Sequence, residues 1–433
     1  MERAVVRPGN ESAADSAGGG PAWLVGFFFA FRLFIMILSV WVLGTDPQTG
    51  VAIGLALNFA MLGVVVFSGF GGGPQGEAGM MRMAPVRWAL FFLCFSGCSL
   101  FWSGTASLAA ATVFWCAMAA DSAMVVLLLR SRPAAEVAPA LMKGYVWGAS
   151  LIAIIAWVLP AQPDLRVGFE DLLGPNQIGF LCAFAFFFAQ HLARGRGGIW
   201  TAAMVLLGVT LIRSLSKTTI IALLVSQAFV LLQDRSISRR TKVMSVLGAL
   251  FVVLAFWNLI SSYYDVYINA GNQSESLTGR VGLWAIFLAE ILQQPWIGHG
   301  FHSVWKVIPP IGPDQFEARH AHNELLQQIY AYGVFGAIML VGLYGSFLRQ
   351  VRRMERGSQR VFFLSLLLFV AIRGLADTEV FDLSLPLWAI ILFTTLVRGL
   401  PQTHHHVDSG TVPLQKSKLS LPAPSIQTAL SAE

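Results

Sequence analysis

Charged side chains are scarce in this chain. Asp, Glu, Lys and Arg make up 12% of its 433 residues, whereas 56% are hydrophobic. Soluble domains carry about 25% charged residues. The deficit excludes an ordinary soluble protein and places the chain among polytopic membrane proteins. The net charge of +6 is not a nucleic-acid signal, because the basic residues stand between apolar segments instead of along one face.

Cysteines and cofactor motifs are also few. The four cysteines all fall within apolar segments, at Cys94, Cys98, Cys116 and Cys182. They form no disulfide framework, and none stands near a histidine at the spacing of a metal site. The chain has no P-loop, no dinucleotide-binding glycine motif, no HExxH and no clear DxD motif. We therefore predict a protein that uses no metal ion and no other cofactor.

Long apolar segments predict an all-α polytopic membrane protein with about twelve transmembrane helices. They lie at 22–43, 51–69, 86–102, 108–129, 144–159, 177–192, 199–212, 218–232, 243–260, 327–348, 361–376 and 385–397. The first segment has no small-residue cleavage site, so we interpret it as an uncleaved span and not a signal peptide.

Lysine and arginine are distributed unevenly between the two sides of this topology. With both termini cytoplasmic, 21 of the 29 basic residues are cytoplasmic and seven are on the outer side. This bias follows the positive-inside rule. We therefore expect the largest loop, residues 262–326, to face outward, which is the periplasm if the protein lies in a bacterial inner membrane.

Composition divides the chain into four parts. Residues 1–21 and 401–433 are rich in small and polar residues and predict disordered cytoplasmic tails. Residues 22–173 are predicted to form an N-terminal set of transmembrane helices. Residues 174–400 are predicted to form a second membrane domain that includes the periplasmic loop.

The periplasmic loop holds four of the eight histidines and a short apolar segment, residues 281–292. Twelve residues are too few to cross a bilayer, so this segment predicts an interfacial or re-entrant helix. Arg280 precedes it and would lie at the helix N-terminus, where free backbone N–H groups favour an anion. A guanidinium there could bind phosphate in a bidentate manner, although a solvated loop arginine is the simpler reading.

A second basic group lies in the turn RSLSKT, residues 213–218, which carries Arg213 and Lys217. The two flanking segments span about 22 Å each, less than the bilayer core of about 30 Å. The turn should therefore lie below the outer surface, where cations are costly unless they meet an anion or reach outward. A site for lipid-linked phosphate and a pair of interfacial anchors fit equally well.

The segment RHAHN, residues 319–323, precedes the tenth apolar segment. Histidine can abstract a proton near neutral pH. On a helix, His320 and His322 would point to different faces. We therefore expect one of them to act and the other to support it, without a shared metal ion. Two further outward connectors, 163–176 and 373–382, are charged; they could bind sugar hydroxyls, but solvated loop charges are the simpler interpretation.

In order along the chain, GPNQIGF, RSLSKT, TGR-x-x-x-W, PWIGHG, HAHNELL and YGVFG resemble the O-antigen ligase/polymerase superfamily. The resemblance covers residues 174–345. It implies transfer of a glycan from an undecaprenyl diphosphate carrier to an acceptor sugar hydroxyl, without a metal ion and with inversion. Possible partners also include other proteins of polysaccharide assembly, but not nucleic acid.

The resemblance also implies roles for individual residues. Arg213 and Arg280 would bind the diphosphate, and His322 would activate the acceptor hydroxyl. The predicted substrate-binding residues are Lys217, His320, Asn323, Arg319 and Asn176.

Three alternatives remain open at this stage. The motifs are closest to exopolysaccharide polymerases of the succinoglycan type, and a ligase that joins glycan to lipid A–core is the alternative within the same enzyme class. A transporter of lipid-linked sugars fits twelve spans, but transporters place polar residues at mid-membrane, whereas here they collect on one side. A non-catalytic assembly subunit would not need the Arg and His groups to converge.

Overall fold

The computed structural model describes residues 20–69, 76–77, 79–159, 166–168, 173–194, 197–269, 277–310, 318–378 and 383–400. The two predicted tails lie outside the described residues, apart from residues 20 and 21. The segments 270–276 and 311–317 of the predicted periplasmic loop also lie outside them.

The described residues are all-helical, with no strand among them. They form fourteen α-helices, numbered here in chain order: α1 Gly20–Leu43, α2 Pro47–Gly69, α3 Ala84–Cys98, α4 Leu108–Ser131, α5 Ala134–Val158, α6 Pro175–Ala193, α7 Ile199–Ser214, α8 Lys217–Gln233, α9 Arg239–Ala255, α10 Trp257–Asn269, α11 Leu277–Gln293, α12 Glu324–Arg352, α13 Ser358–Gly374 and α14 Leu387–Arg398. Each of the twelve predicted spans overlaps one of these helices. The ninth is divided between α9 and α10 at Phe256, which leaves the helical conformation.

Six helical segments of the described residues are long and apolar enough to cross a membrane. They are Gln48–Gly69, Ala84–Phe101, α4, α5, α6 and α12. Four shorter apolar helices accompany them: Gly20–Ile35, α7, α8 and α14. The all-helical membrane architecture is confirmed, whereas the count of twelve spans stays a prediction.

Close approach of backbones holds α1 against α5. A Cβ added to Gly26 would lie 1.9 Å from the Leu141 carbonyl oxygen, and one added to Gly144 would lie 1.9 Å from that of Trp23. Membrane helices associate through such small-residue contacts, since burial of apolar surface gives little driving force in lipid. Next to this contact, aromatic side chains of α6 and α14 form a buried core around Phe184.

Helix α12 is broken at Gly333, which has φ 61° and ψ −149°. The segment 295–300 fills the break: the N–H groups of His299 and Gly300 donate to the carbonyl oxygens of Tyr330 and Ala331, and the Val334 N–H donates to that of Pro295. The PWIGHG motif thus hydrogen-bonds to the broken helix, and the predicted periplasmic loop is tied to α12.

The helix of the predicted periplasmic loop is longer than expected. It begins at Leu277, before the apolar run, and ends at Gln293. Arg280 therefore lies in the first turn of α11, at the N-terminal end of the helix, where the sequence places it. The start of the predicted loop is also helical, because α10 continues to Asn269.

Candidate active site

The connection between α7 and α8 is a tight turn, as its sequence predicts. Leu215 takes a left-handed conformation with φ 53° and ends α7. The Ser216 N–H donates to Ser214 Oγ at 3.3 Å, and Ser216 Oγ donates to Thr219 Oγ1 at 3.0 Å. These buried hydroxyls replace backbone hydrogen bonds that the turn lacks. Arg213 and Lys217 stand on either side of the turn.

Arg280 connects α11 to this turn and to the end of α13. Its Nη1 donates to Thr218 Oγ1 at 3.4 Å and to the Ala376 carbonyl oxygen. Its buried Nε has no hydrogen-bond partner among the described residues. One turn further along α11, Trp284 Nε1 donates to the Ala321 carbonyl oxygen at 2.9 Å. Helix α11 therefore contacts three of the elements that form the site.

The segment 318–323 is held in a non-helical conformation. The Ala321 N–H donates to Gln327 Oε1 at 2.7 Å, and Asn323 Oδ1 accepts from the Leu326 N–H as the N-cap of α12. Between them, His322 has φ 51°, a left-handed conformation that costs on the order of 1 kcal/mol for a residue with a side chain. The fixed backbone on both sides pre-orients the His322 ring.

The His322 ring is hydrogen-bonded to a buried carboxylate. Its Nδ1 lies 3.3 Å from Asp377 Oδ1, which also accepts from the Thr378 N–H at 3.0 Å. Arg373 Nη2 donates to Asp377 Oδ2 at 3.2 Å. When Nδ1 carries its proton toward Asp377, Nε2 of His322 is the basic nitrogen. This is the arrangement of a carboxylate-oriented histidine base.

Arg373 packs against two other helices, α8 and α6. Its Nε donates to Thr219 Oγ1 on α8 at 3.4 Å, and its guanidinium carbon lies 4.4 Å from the centre of the Phe180 ring on α6. Arg373 has no exposed surface, and Asp377 is 3% exposed. The prediction that the connector 373–382 is solvated is therefore wrong for these two residues. The acidic residues Glu379 and Asp382 lie outside the described residues.

The site's electrostatics favour an ionised carboxylate and a neutral second histidine. Burial alone would raise the pKa of Asp377, but Arg373 and the hydrogen bond from His322 hold it below its usual range. Burial, and then the proximity of His322, lower the pKa of His320 to about 3. At neutral pH, His320 is therefore an uncharged neighbour whose Nδ1 accepts the His322 N–H at 3.3 Å.

The inference that His320 and His322 point to different faces is wrong, because it assumed a helix. Their ring centres lie 4.1 Å apart. With Asp377 they form a group whose ligand atoms lie within 4.8 Å of one another, close enough to hold a metal ion. A metal ion would compete with three groups that already donate to Asp377, namely Arg373, His322 and the Thr378 N–H. The absence of a metal ion stays a prediction.

The other predicted residues differ in their relation to this cluster. Asn323 donates from Nδ2 to the Leu375 carbonyl oxygen at 2.9 Å and so ties α12 to the end of α13. Lys217 and Arg319 are exposed: Lys217 directly precedes Thr218 in the chain, and Arg319 directly precedes His320. Asn176 lies in the first turn of α6, one turn before Phe180. The half-buried Arg213 lies in the last turn of α7, five residues before Thr218.

Arg373 and Asp377 are the residues that sequence reasoning missed. The available signal was an arginine in the last turn of an apolar helix, four residues before an aspartate. That spacing alone does not distinguish a buried ion pair from a solvated one. Burial here depends on α6 and α8, which are distant in sequence.

Comparison with known families gives this geometry a context. Residues 202–341 match the family model described as O-antigen ligase. Over these residues the chain is similar to the O-antigen ligase family. The match supports the O-antigen ligase/polymerase superfamily and confirms the resemblance predicted from the motifs. No curated protein matches the chain significantly.

The O-antigen ligase match includes the turn with Arg213, the first turn of α11 and the segment 318–323. Arg373 and Asp377 lie beyond its end. This match and the six helices long and apolar enough to cross a membrane support a multi-pass membrane protein. The family implies a lipid-linked glycan and a sugar as substrates.

Proposed function

We propose that this protein is a membrane glycosyltransferase that polymerises saccharide units carried on undecaprenyl diphosphate, at the outer face of the inner membrane. The observation that carries the proposal is the hydrogen bond between His322 Nδ1 and Asp377 Oδ1, 3.3 Å long, beside Arg280 and Arg373. The four residues come from three segments far apart in sequence, which supports a site and not a chance charge pair.

In this proposal, His322 is the general base. Its Nε2 removes the proton from an acceptor hydroxyl, and the oxygen attacks the anomeric carbon of the donor. The bond between that carbon and the diphosphate breaks, and the electron pair leaves with the diphosphate. Attack from the face opposite the leaving group inverts the anomeric configuration. Asp377 orients the ring and stabilises the imidazolium that forms.

Arg280 and Arg213 bind the diphosphate, with Lys217 at the same turn. Charge develops on the leaving diphosphate, so fixed cations stabilise the transition state more than a proton donor would. The Arg280 Nε has no partner among the described residues. Nε and one Nη of a guanidinium can hold two phosphate oxygens together. His320, Arg319, Asn323 and Asn176 are proposed to contact the saccharide or shape its site.

Fixed guanidinium groups take the part that a divalent ion plays in other glycosyl transfer sites, so we propose a metal-independent reaction. We propose the same domain division as the sequence predicts. Residues 22–173 form N-terminal transmembrane helices, residues 174–400 form the ligase domain, and residues 1–21 and 401–433 are cytoplasmic tails.

The second candidate is an O-antigen ligase that joins the glycan to lipid A–core. The description of the matching family favours it directly. The two reactions need the same base and cations and differ in the acceptor.

A deletion strain complemented with variants tests the proposal and separates the candidates. We expect His322→Ala and Arg280→Ala to abolish polymeric exopolysaccharide, with lipopolysaccharide unchanged on the same gel. Lys306→Ala, an exposed cation of the same loop, is the matched control and should behave as wild type. Loss of lipid A–linked O-chains would instead identify the ligase. Wild-type polymer from both variants at normal membrane levels would refute the catalytic proposal and favour a transporter.

A further inference from the structure

We propose that a cavity beside the active site, lined in part by an ion pair, binds one uncharged sugar ring of the glycan substrate. The inference rests on the proposed function. The cavity measures about 100 Å³. Its lining includes Arg32, Asp121, Tyr145, Gln177, Phe180 and Trp388.

An ion pair between two apolar helices forms part of the cavity lining. Arg32 Nη1 donates to Asp121 Oδ2 at 2.6 Å, and the side chain of Asp121 is 5% exposed. Both residues lie near the midpoint of their 24-residue helices, α1 and α4. Ionisable groups at this depth are costly, and they typically face a cavity or a substrate path.

One oxygen of this carboxylate lacks a donor. Asp121 Oδ1 is buried and has no hydrogen-bond partner among the described residues. Asn58 Nδ2 donates one of its two hydrogens to the Ala117 carbonyl oxygen at 3.2 Å, and its other hydrogen interacts with the Asp121 carboxylate without reaching Oδ1 at hydrogen-bond geometry. A buried acceptor without a donor costs free energy. A ligand hydroxyl in the cavity would supply that donor.

The chemistry of the lining favours a neutral sugar over the other parts of a lipid-linked glycan. Arg32 is already neutralised by Asp121, so the cavity offers no net positive charge to a phosphate. An isoprenoid chain has no donor for Asp121 Oδ1. A sugar ring presents hydroxyls to the carboxylate and C–H faces to aromatic rings such as Phe29 and Trp388, which lie 4.7 Å apart. The volume admits on the order of seven water positions, a number comparable to what one ring displaces.

Phe180 connects the cavity to the active site. The same ring lines the cavity and lies 4.4 Å from the guanidinium carbon of Arg373. Gln177, one turn earlier on α6, lines the cavity and accepts from the Gly174 N–H at 3.3 Å. A glycan whose reacting end lies at His322 can therefore place a neighbouring ring in the cavity.

Binding without turnover tests the inference. Protein with His322→Ala is placed in nanodiscs and titrated calorimetrically with two probes prepared from the same cells. One is the lipid-free oligosaccharide repeat, which reports acceptor binding, and the other is the intact lipid-linked oligosaccharide, which reports donor binding. Leu33→Trp fills the cavity and leaves the residues of the ion pair, Arg32 and Asp121, unchanged. Leu38→Trp, 42% exposed on the same helix, is the matched control.

We expect Leu33→Trp to raise the dissociation constant of one probe about tenfold or more, which corresponds to the loss of a hydrogen bond to a charged group. If binding of the lipid-free repeat is weakened, the sugar in the cavity belongs to the acceptor; if binding of the lipid-linked oligosaccharide is weakened, it belongs to the donor. Equal dissociation constants for Leu33→Trp and Leu38→Trp with both probes would overturn the inference, as would the absence of binding to the Leu38→Trp protein. A glycan-transfer assay separates the two proposals. If the His322→Ala variant, with no other substitution, still transfers glycan, the proposed function is refuted, whatever the cavity binds.

Discussion

Replacement of Asp377 by asparagine distinguishes a catalytic cluster from a structural one. The carboxylate accepts three hydrogen bonds, from His322, Arg373 and the Thr378 N–H, at 3.3, 3.2 and 3.0 Å. Asparagine has one acceptor oxygen and an amide that donates. In one orientation the amide NH2 faces Arg373, and in the other it faces His322 and the Thr378 N–H. In both cases a donor meets a donor. The substitution therefore loses contacts without changing the shape of the side chain.

The magnitude has a catalytic and a structural part. General base catalysis contributes about 10²–10⁴-fold, so we expect the transfer rate to fall by at least about 100-fold when His322 loses its orienting partner. Removal of one partner of a buried ion pair costs about 3–5 kcal/mol of stability. Arg373, with no exposed surface, would keep its charge without this carboxylate.

The assay measures transfer of labelled glycan from the lipid-linked donor in nanodiscs, with thermal unfolding recorded on the same samples. Asp377→Asn with Arg373→Gln restores stability, because no uncompensated charge remains, but it does not restore the rate. Asp265→Asn, an exposed aspartate of α10, is the matched control. A rate within threefold of wild type for Asp377→Asn, with His322→Ala inactive, would refute the role of Asp377.

Three further predictions concern the same cluster. Arg280→Lys keeps the charge but loses bidentate binding, so the KM for the lipid-linked donor should rise about 10- to 100-fold, with the acceptor KM unchanged; an equal rise for both would contradict diphosphate binding. Burial lowers the pKa of His320 to about 3, so between pH 6.5 and 3 the unfolded chain takes up a proton that the folded protein does not. Thermal stability should therefore decrease as the pH falls below 6.5, and His320→Asn should weaken that decrease; an unchanged slope would be evidence against it. EDTA dialysis should leave the transfer rate within twofold, whereas a tenfold loss restored by Zn²⁺ would assign a metal ion to His320, His322 and Asp377.

Hydropathy predicted the helices well because long apolar runs have few other stable conformations in a bilayer. The boundaries that it missed are polar. Helix α11 begins at Leu277, before the apolar run, and α10 extends through a polar segment to Asn269. The length of an apolar run does not predict helical turns that extend beyond it into polar sequence.

The candidate site was only partly predictable. Arg280 and His322 were found through motifs, whereas Arg373 was interpreted as solvated because its burial depends on Phe180 and Thr219, which local sequence does not reveal. The proximity of His320 and His322 depends on the left-handed conformation of His322. Such a conformation is uncommon for a residue other than glycine, so spacing rules for helices gave the wrong answer.

The break in α12 makes stable membrane insertion of this helix depend on residues 295–300. Backbone groups around Gly333 find their hydrogen-bond partners in residues 295–300, and a backbone group without a partner in hydrocarbon costs several kcal/mol. Residues 295–300 leave the ribosome first, so the partner is present when the broken helix enters the bilayer. Substitutions in PWIGHG should therefore reduce the amount of inserted protein more than its turnover. Polymer yields from variants of this motif are meaningful only per molecule in the membrane.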